Sequence, residues 1–226
     1  MKRIVVLTGA GMSEESGLKT FRDAGGLWEG HDVMQVASPQ GWHADPLMVL
    51  DFYNERRKQL VKAEPNEGHR LLVELERQYE VKIITQNVDD LHERAGSTNV
   101  LHLHGELLKV RSTQKMDLVY DWRKDLHLGD LCEFGSQLRP HIVWFGEAVP
   151  LLDLAIDITA MADYLIIIGT SMQVYPAASL INFAKPGVPI YFIDPHPAID
   201  ETYYKNLTVI PEKAGAGVKK FLELIP

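Results

Sequence analysis

The chain begins with a short apolar run that ends in a glycine turn. Residues 4–7 are "IVVL", and "GAGMSEESGLKTFRDAGGLW" follows over residues 9–28. A buried strand that breaks into Gly-Ala-Gly brings backbone amides close to an anion such as a phosphate. The dinucleotide fingerprint has a third glycine three residues after the second, where this chain has Glu14. The turn favours nucleotide binding, and it leaves open a strand-to-helix turn in which glycine serves geometry alone.

Short apolar runs alternate with helical patterns along the rest of the chain. Continuous apolar strands are typical of a parallel sheet covered on both faces. The predicted strands are residues 3–7, 81–85, 99–105, 141–145, 164–169 and 189–194. The predicted helices of this alternation are residues 66–79, 151–162, 176–184 and 217–225. The pattern predicts an α/β fold with a Rossmann-like doubly wound parallel sheet.

Two stretches interrupt the alternation. The first contains "ADPLMVLDFYNERRKQLVKA", a helix with Asp45 at its N-cap and Pro46 in its first turn. The second is irregular, with scattered aromatic and charged residues. We expect the two to form a smaller helical and irregular module, with the ligand in the cleft beside the sheet. The predicted division is residues 1–30, 66–105 and 140–226 for the nucleotide-binding domain, and 31–65 and 106–139 for the module.

Composition excludes several classes of protein. The formal net charge of −8 argues against non-specific nucleic-acid binding, which needs a basic surface. The single cysteine, Cys132, excludes an internal disulfide framework and a cysteine-rich zinc site, and it fits a reducing compartment. No apolar run has the length of a membrane span or a secretory signal. We therefore expect a soluble cytoplasmic protein that binds neither nucleic acid nor membrane, and its oligomeric state stays open.

Five segments in order resemble the sirtuins, the NAD-dependent protein lysine deacylases. They are "GAGMSEESGLKTFRDAGGLW" (9–28), "TQNVDDLHERAG" (85–96), "LHLHGE" (101–106), "RPHIVWFGE" (139–147) and "GTSMQVYPA" (169–177). The resemblance covers nearly the whole chain. It implies NAD as a consumed co-substrate, acyl-lysine proteins or peptides as partners, and nicotinamide and O-acyl-ADP-ribose as products.

The resemblance also implies which residues contact NAD. At the pyrophosphate and the adenosine these are Gly9, Ala10, Gly11, Ser13, Gly169, Thr170, Ser171, Asp194, Pro195, His196 and Ala214. At the nicotinamide and its ribose, or in the loop that closes over them, they are Phe21, Arg22, Trp28, Gln86, Asn87 and Asp89. Amide and carboxylate groups suit the carboxamide of nicotinamide, which presents both donors and acceptors.

His104 is the residue that the resemblance implies as general base, with Asn87 and Asp89 beside it. His102 lies on the same strand face, and we expect it to be structural. In the implied reaction the acyl oxygen attacks C1′ of the ribose and nicotinamide leaves. His104 then deprotonates a ribose hydroxyl, which attacks the acyl carbon. Imidazole suits this step because its ordinary pKa of about 6.5 lies near working pH.

The segment "FYNERRKQL" indicates the acyl group. Tyr53 and Arg56 lie three residues apart and share a helix face, where they can bind a terminal carboxylate. The alternative is a solvated charged face with a packed tyrosine. Tyr-x-x-Arg here resembles the sirtuins that remove succinyl, malonyl or glutaryl groups, and Ala37 fits their wider pocket. The resemblance places the peptide and its acyl-lysine at Val143, Phe145, Gly146, Glu147 and Val174.

The chain departs from the family in its small module. Most sirtuins hold a zinc there with two Cys-x-x-Cys pairs, whereas this chain has Cys132, and Ser112 where a first cysteine might stand. We therefore predict no metal. Two other functions remain open on the same residues: a mono-ADP-ribosyltransferase or NAD hydrolase, and a non-catalytic NAD-sensing protein.

Overall fold

A computed structural model of the chain describes residues 1–19, 27–28 and 30–226, without the side chains of Leu27, Trp28 and Glu201. The strands are β1 (Arg3–Thr8), β2 (Leu27–Trp28), β3 (His31–Asp32), β4 (Glu80–Thr85), β5 (Val100–His102), β6 (Gly105–Ser112), β7 (Val119–Asp121), β8 (Leu138–Ile142), β9 (Tyr164–Ile168), β10 (Ile190–Ile193) and β11 (Leu207–Ile210). The α-helices are α1 (Val33–Val36), α2 (Pro39–Ala44), α3 (Pro46–Lys62), α4 (Glu67–Leu75), α5 (Leu91–Ala95), α6 (Leu152–Ala160) and α7 (Ala214–Leu224).

The main sheet of the described residues has six parallel strands in the order β11-β10-β9-β1-β4-β5. Strands β4 and β5 lie on one side of β1, and β9, β10 and β11 lie on the other. The direction of winding therefore reverses between β1 and β9, and doubly wound sheets bind ligands at the carboxyl ends of such a pair. The predicted fold class is confirmed.

The central strands are mainly apolar because both faces of the sheet are covered. In β1, Ile4 and Val6 pack on one face, and Val5 and Leu7 pack on the other. Helices α4 and α7 cover the first face. Helix α6 and the 3-10 helix Ala177–Phe183 cover the second, so the predicted helix over 176–184 forms with tighter turns.

One predicted strand belongs to a different sheet. Residues 141–145 were expected in the parallel sheet, but β8 ends at Ile142 and pairs antiparallel with β6. The sixth parallel strand is instead β11, "LTVI", which pairs with β10 at the sheet edge. An edge strand is short and only partly buried, so its apolar pattern is weak.

A smaller antiparallel sheet, in the order β7-β6-β8, lies against α3. Part of the segment that we predicted to be irregular therefore forms β6 and β7. Asn54 of α3 bonds both backbone groups of Leu126, accepting from its N–H at 2.8 Å and donating to its carbonyl at 3.0 Å. Arg57 donates to the Leu107 carbonyl at 3.2 Å and to the Asn54 side chain at 2.8 Å. Two buried polar residues of α3 thus join this helix to β6 and to the loop between β7 and β8.

The core beneath the small sheet is formed by Leu50, Val110, Leu126, Cys132 and Leu138. The thiol of Cys132 lies 3.5 Å from the hydroxyl of Ser112, the residue that we compared with a first zinc cysteine of the family. Within the described residues, no three His, Cys, Asp or Glu side chains converge as metal ligands. The absence of zinc stays a prediction.

None of the helices in the described part of the chain combines the length and the apolar character needed to cross a bilayer.

Chelation should leave the stability of the protein unchanged, because side chains of α3 and the apolar core hold the small sheet. We expect the same Tm by circular dichroism with and without EDTA. Asn54→Ala is the positive control: it removes the partners of both Leu126 backbone groups and should cost about 2–4 kcal/mol. One bound zinc per chain by elemental analysis, with a Tm that falls on chelation, would contradict the prediction.

Candidate functional site

The turn after β1 lies directly against the end of β9. The N–H of Gly9 donates to the Ile168 carbonyl at 2.9 Å, and the N–H of Gly11 donates to the Gly169 carbonyl at 2.8 Å. A Cβ on Gly11 would lie 2.7 Å from the Gly169 Cα, closer than two non-bonded carbon atoms can approach. Gly169 itself has φ of +62°, which L side chains rarely adopt. The glycines are therefore required for close contact between two loops.

One expectation about the turn is wrong. The amides of Gly9 and Gly11 donate to carbonyls of the chain, so they are not available to an anion. The turn continues into the 3-10 helices Ala10–Met12 and Glu14–Ser16. Anion binding at this turn must use other donors.

A cavity of about 500 Å³ opens between the carboxyl ends of the parallel strands and the small sheet. It lies at the point where the winding of the sheet reverses. The predicted NAD residues that line it are Gly9, Ala10, Gly11, Ser13, Gln86, Asn87, Asp89, His104, Gly169, Thr170, Ser171, Asp194, Pro195 and His196. The predicted substrate residues that line it are Tyr53, Arg56, Val143, Phe145, Gly146, Glu147 and Val174.

Four predicted NAD residues are not placed in this cavity. Phe21 and Arg22 lie outside the described residues, and only the backbone of Trp28 is described, in β2. Ala214 does not line the cavity: it is 3 % exposed and packs in the apolar core at the start of α7. Its neighbour Lys213 lines the cavity instead, because the chain turns inward as the helix begins.

A buried hydroxyl joins the residues assigned to nicotinamide. The Ser13 hydroxyl donates to the Asp89 carboxylate at 2.9 Å and accepts from the Asn87 amide at 3.2 Å. Asn87 also donates to the Gly9 carbonyl at 3.0 Å. Burial raises the pKa of Asp89, although the hydrogen bonds from Ser13 and from the Leu91 N–H oppose the rise. Side chains from two loops thus form one polar wall of the cavity.

The tautomer of His104 follows from its hydrogen bond. Its Nδ1 lies 3.1 Å from the Gln86 carbonyl, which can only accept, so Nδ1 carries the proton. The lone pair is then on Nε2. Burial lowers the pKa of His104 despite the opposing effect of the Gln86 carbonyl, so the ring is neutral at pH 7. A neutral ring with a lone pair on Nε2 is the form that a general base needs.

The opposite end of the cavity combines apolar walls with two polar side chains. Ala37, Leu60 and Leu107 line it together with Tyr53 and Arg56. Tyr53 is fully buried, and burial raises the pKa of its hydroxyl, which therefore keeps its proton. A packed tyrosine fits both the carboxylate receptor and its alternative, so the receptor role of Tyr53 stays a prediction.

The indole of Trp144 orients the tyrosine. Its Nε1 donates to the Tyr53 hydroxyl at 2.9 Å, and the Arg139 guanidinium stacks on its ring at 3.4 Å from the centroid. We did not predict a role for Trp144 from the sequence, although it stands in the segment "RPHIVWFGE". A tryptophan in an apolar strand is read as core, and only the fold reveals that it contacts Tyr53.

Glu147 lines the cavity, but its carboxylate is engaged within the protein. It accepts from Arg139 at 2.7 Å, from Arg111 at 3.1 Å and from the Trp144 N–H at 2.8 Å. These partners hold the pKa of Glu147 below its usual range against the effect of burial. The side chain of Glu147 therefore supports the loop that follows β8, and its role in substrate binding stays a prediction.

Comparisons with known proteins agree on one family. The sequence model described as "Sir2 family" matches residues 9–176. The chain is similar to an NAD-dependent protein deacylase of Helicobacter pylori strain J99, with 64% identity over 214 residues that cover 95% of this chain and 91% of the relative. A relative of the same name from Bacteroides thetaiotaomicron is 49% identical over 231 residues, which cover 100% of this chain and 98% of the relative. A solved Sir2 homologue–NAD complex superimposes with a TM-score of 0.88 at 40% identity, covering 99% of this chain and 89% of that one.

Gly11→Ala should damage both stability and NAD binding, because backbone on both sides of the contact must move. We expect a loss of about 1–3 kcal/mol in the free energy of unfolding, with a KM for NAD that rises by about tenfold. The measurements are urea denaturation and steady-state kinetics. Gly129→Ala is the control: its φ of +95° strains an added side chain, but nothing lies within 4 Å. Equal KM values for NAD in the two variants would show that the close contact does not shape the cavity.

Proposed function

The chain belongs to the Sir2 family, and we propose that the lysine acyl groups it removes include those that end in a carboxylate, such as succinyl and malonyl, besides acetyl. It is an NAD-dependent protein deacylase, and NAD is its co-substrate. The observation that carries the proposal is that Tyr53 and Arg56 line the same cavity as His104.

The described residues fit NAD as a co-substrate. The cavity reaches from Asp194 and Lys213, at one end of the main sheet, to His104 beside the small sheet. The contact between Gly11 and Gly169 leaves no side chain between the two loops. NAD supplies an electrophilic ribose carbon, and nicotinamide as the leaving group. We assign the pyrophosphate to the loops at Gly9 and Gly169.

Asn87 and Asp89 form the proposed nicotinamide site. Both side chains are buried and are held by Ser13, so their orientation is set before NAD binds. An amide and a carboxylate offer the donor and acceptor groups that a carboxamide needs. Preorganised polar groups of this kind bind a ligand without further ordering.

His104 is the proposed general base. Its Nδ1 proton is donated to the Gln86 carbonyl, so only Nε2 can accept a proton from a ribose hydroxyl. This supports the role that the family resemblance implies. The N–H of Val143 donates to the His104 carbonyl at 2.9 Å, which ties the base to the segment after β8, where we place the acyl-lysine.

The end of the cavity at Tyr53 and Arg56 suits an acyl chain that ends in a charged group. Its walls are apolar at Ala37, Leu60 and Leu107, which suits methylene groups. At its end a buried phenol and a guanidinium can donate hydrogen bonds to a carboxylate, and charge-assisted bonds of this kind are the strong ones. The acetyl group is shorter and would not need these donors.

We place this reaction in the cytoplasm, with acylated proteins as the partners. The single cysteine is buried, which fits a reducing compartment. The net charge of −8 makes nucleic acid an unsuitable partner. Mass spectrometry of the products separates deacylation, which releases O-acyl-ADP-ribose, from ADP-ribosylation of the protein.

Arg56→Met should selectively weaken activity on acyl groups that end in a carboxylate, because a charged carboxylate would lose its counter-charge in a buried site. We expect kcat/KM for a succinyl-lysine peptide to fall by about 10²-fold or more, and that for an acetyl-lysine peptide to stay within about threefold. Both values come from nicotinamide release at saturating NAD. Lys58→Met is the matched control, since Lys58 lies on the same helix and pairs with Glu55 and Asp125 at the surface. An unchanged ratio of the two activities in Arg56→Met would overturn the assignment.

The pH dependence of activity should reflect the titration of His104. Because burial lowers its pKa, the neutral base persists below the ordinary histidine value of about 6.5. Activity is therefore present at neutral pH and is lost as the pH falls through the lowered pKa. His104→Asn should reduce kcat by about 10²–10⁴-fold and abolish this acid limb. Profiles of kcat/KM measured with and without the substitution test it, and an acid limb that survives in the variant would assign the titration to another group.

A further inference from the structure

Two histidines hold two successive carbonyls of the loop that carries Asn87 and Asp89. His104 Nδ1 bonds the carbonyl of Gln86, and His102 Nδ1 lies 3.2 Å from the carbonyl of Asn87. His102 does not line the cavity. Its ring therefore contacts the loop on the side that faces away from the cavity.

The second nitrogen of His102 is also engaged. Its Nε2 lies 2.7 Å from the Glu93 carboxylate, and the His102 side chain is only 8% exposed. A carbonyl and a carboxylate both accept, so both ring nitrogens carry protons and the ring is an imidazolium. Burial lowers the pKa of His102, but the hydrogen bond and charge of Glu93 outweigh this effect, and the pKa is raised overall.

The ion pair of His102 and Glu93 joins the two ends of this loop. Glu93 lies in α5, which begins directly after residues 86–90. His102 thus links the start of the loop, at the Asn87 carbonyl, to the helix that follows its end. Asp89 lies between these two points and bonds Ser13 and the Leu91 N–H. We name this ion pair the His102–Glu93 clasp.

We propose that the His102–Glu93 clasp is a positioning element that sets the geometry of Asn87 and Asp89 for the nicotinamide half of NAD. The proposal rests on the assignment of these two residues to nicotinamide made above. It goes beyond that assignment because neither His102 nor Glu93 touches the cavity. The clasp determines how well NAD binds and how fast nicotinamide leaves, without contact to either.

The clasp should respond to alkaline pH. The charged and titratable groups that face His102 are Glu93 and His92 of α5, Asp89 of the loop and Glu106 of β6. Glu106 is itself paired with Lys109 at 2.8 Å. As the pH rises through the His102 pKa, the imidazolium is lost and one of its two hydrogen bonds is broken. The KM for NAD should therefore rise at the alkaline end, whereas the loss of neutral His104 acts at the acid end.

Paired substitutions of His102 separate positioning from packing. The side-chain nitrogen of asparagine can replace Nδ1 as the donor to the Asn87 carbonyl, but it cannot carry charge or reach Glu93. Leucine provides neither function. We expect His102→Leu to raise the KM for NAD and to slow the exchange of labelled nicotinamide into NAD, each by about tenfold. His102→Asn should recover most of both losses, and its KM for NAD should no longer rise at alkaline pH. Glu106→Gln is the matched control and should leave both quantities within about twofold, since its charge is not bonded to His102.

ADP-ribose provides the second readout, because it lacks nicotinamide. Its Kd, measured by calorimetry, should stay within about twofold in all His102 variants. Equal weakening of ADP-ribose and NAD by His102→Leu would show a general structural role and overturn the proposal. So would a His102→Asn variant as impaired as His102→Leu. Asn87→Ala tests the underlying assignment separately: if it leaves nicotinamide exchange intact the assignment fails, whereas loss there with a normal His102→Leu rejects only the clasp.

Discussion

The close contact of the β1 turn with the end of β9 sets the geometry of the site. Gly9 and Gly11 donate their amides to the β9 strand end, and side chains at Gly11 or Gly169 would collide with backbone. With the two loops pressed together, the crevice opens above them at the carboxyl edge of the sheet. The same contact uses the amides that would otherwise bind an anion, so ligand recognition passes to side chains of neighbouring loops.

Hydrogen bonds that are shielded from water hold those side chains in place. Ser13 joins Asn87 to Asp89, and the Thr85 hydroxyl accepts from the Asn87 N–H at 3.0 Å. A buried polar group without a partner is costly, so each such bond restricts the loop to one arrangement. His102 in β5 and His104 in the turn after it restrict the same loop further.

The small sheet brings the acyl end of the cavity to the chemical centre. Asn54 and Arg57 join α3 to the small module, and Tyr53, directly before Asn54, lines the cavity and packs against Trp144. One helix thereby performs two tasks with residues on different faces.

The sequence by itself determined the α/β alternation and the glycine turn and singled out Asn87, Asp89 and His104 as candidates, because these depend on local patterns and short motifs. It misplaced residues 141–145 and missed β11, since strand pairing is a long-range property and an edge strand has little apolar signal. Only the tertiary structure decided that the amides of Gly9 and Gly11 are consumed internally and that Glu147 is neutralised by Arg111 and Arg139. It also decided that His102 reaches both Asn87 and Glu93. These facts depend on which loops meet at the edge of the sheet, and side chains far apart in sequence acquire their partners only when the strands have packed side by side.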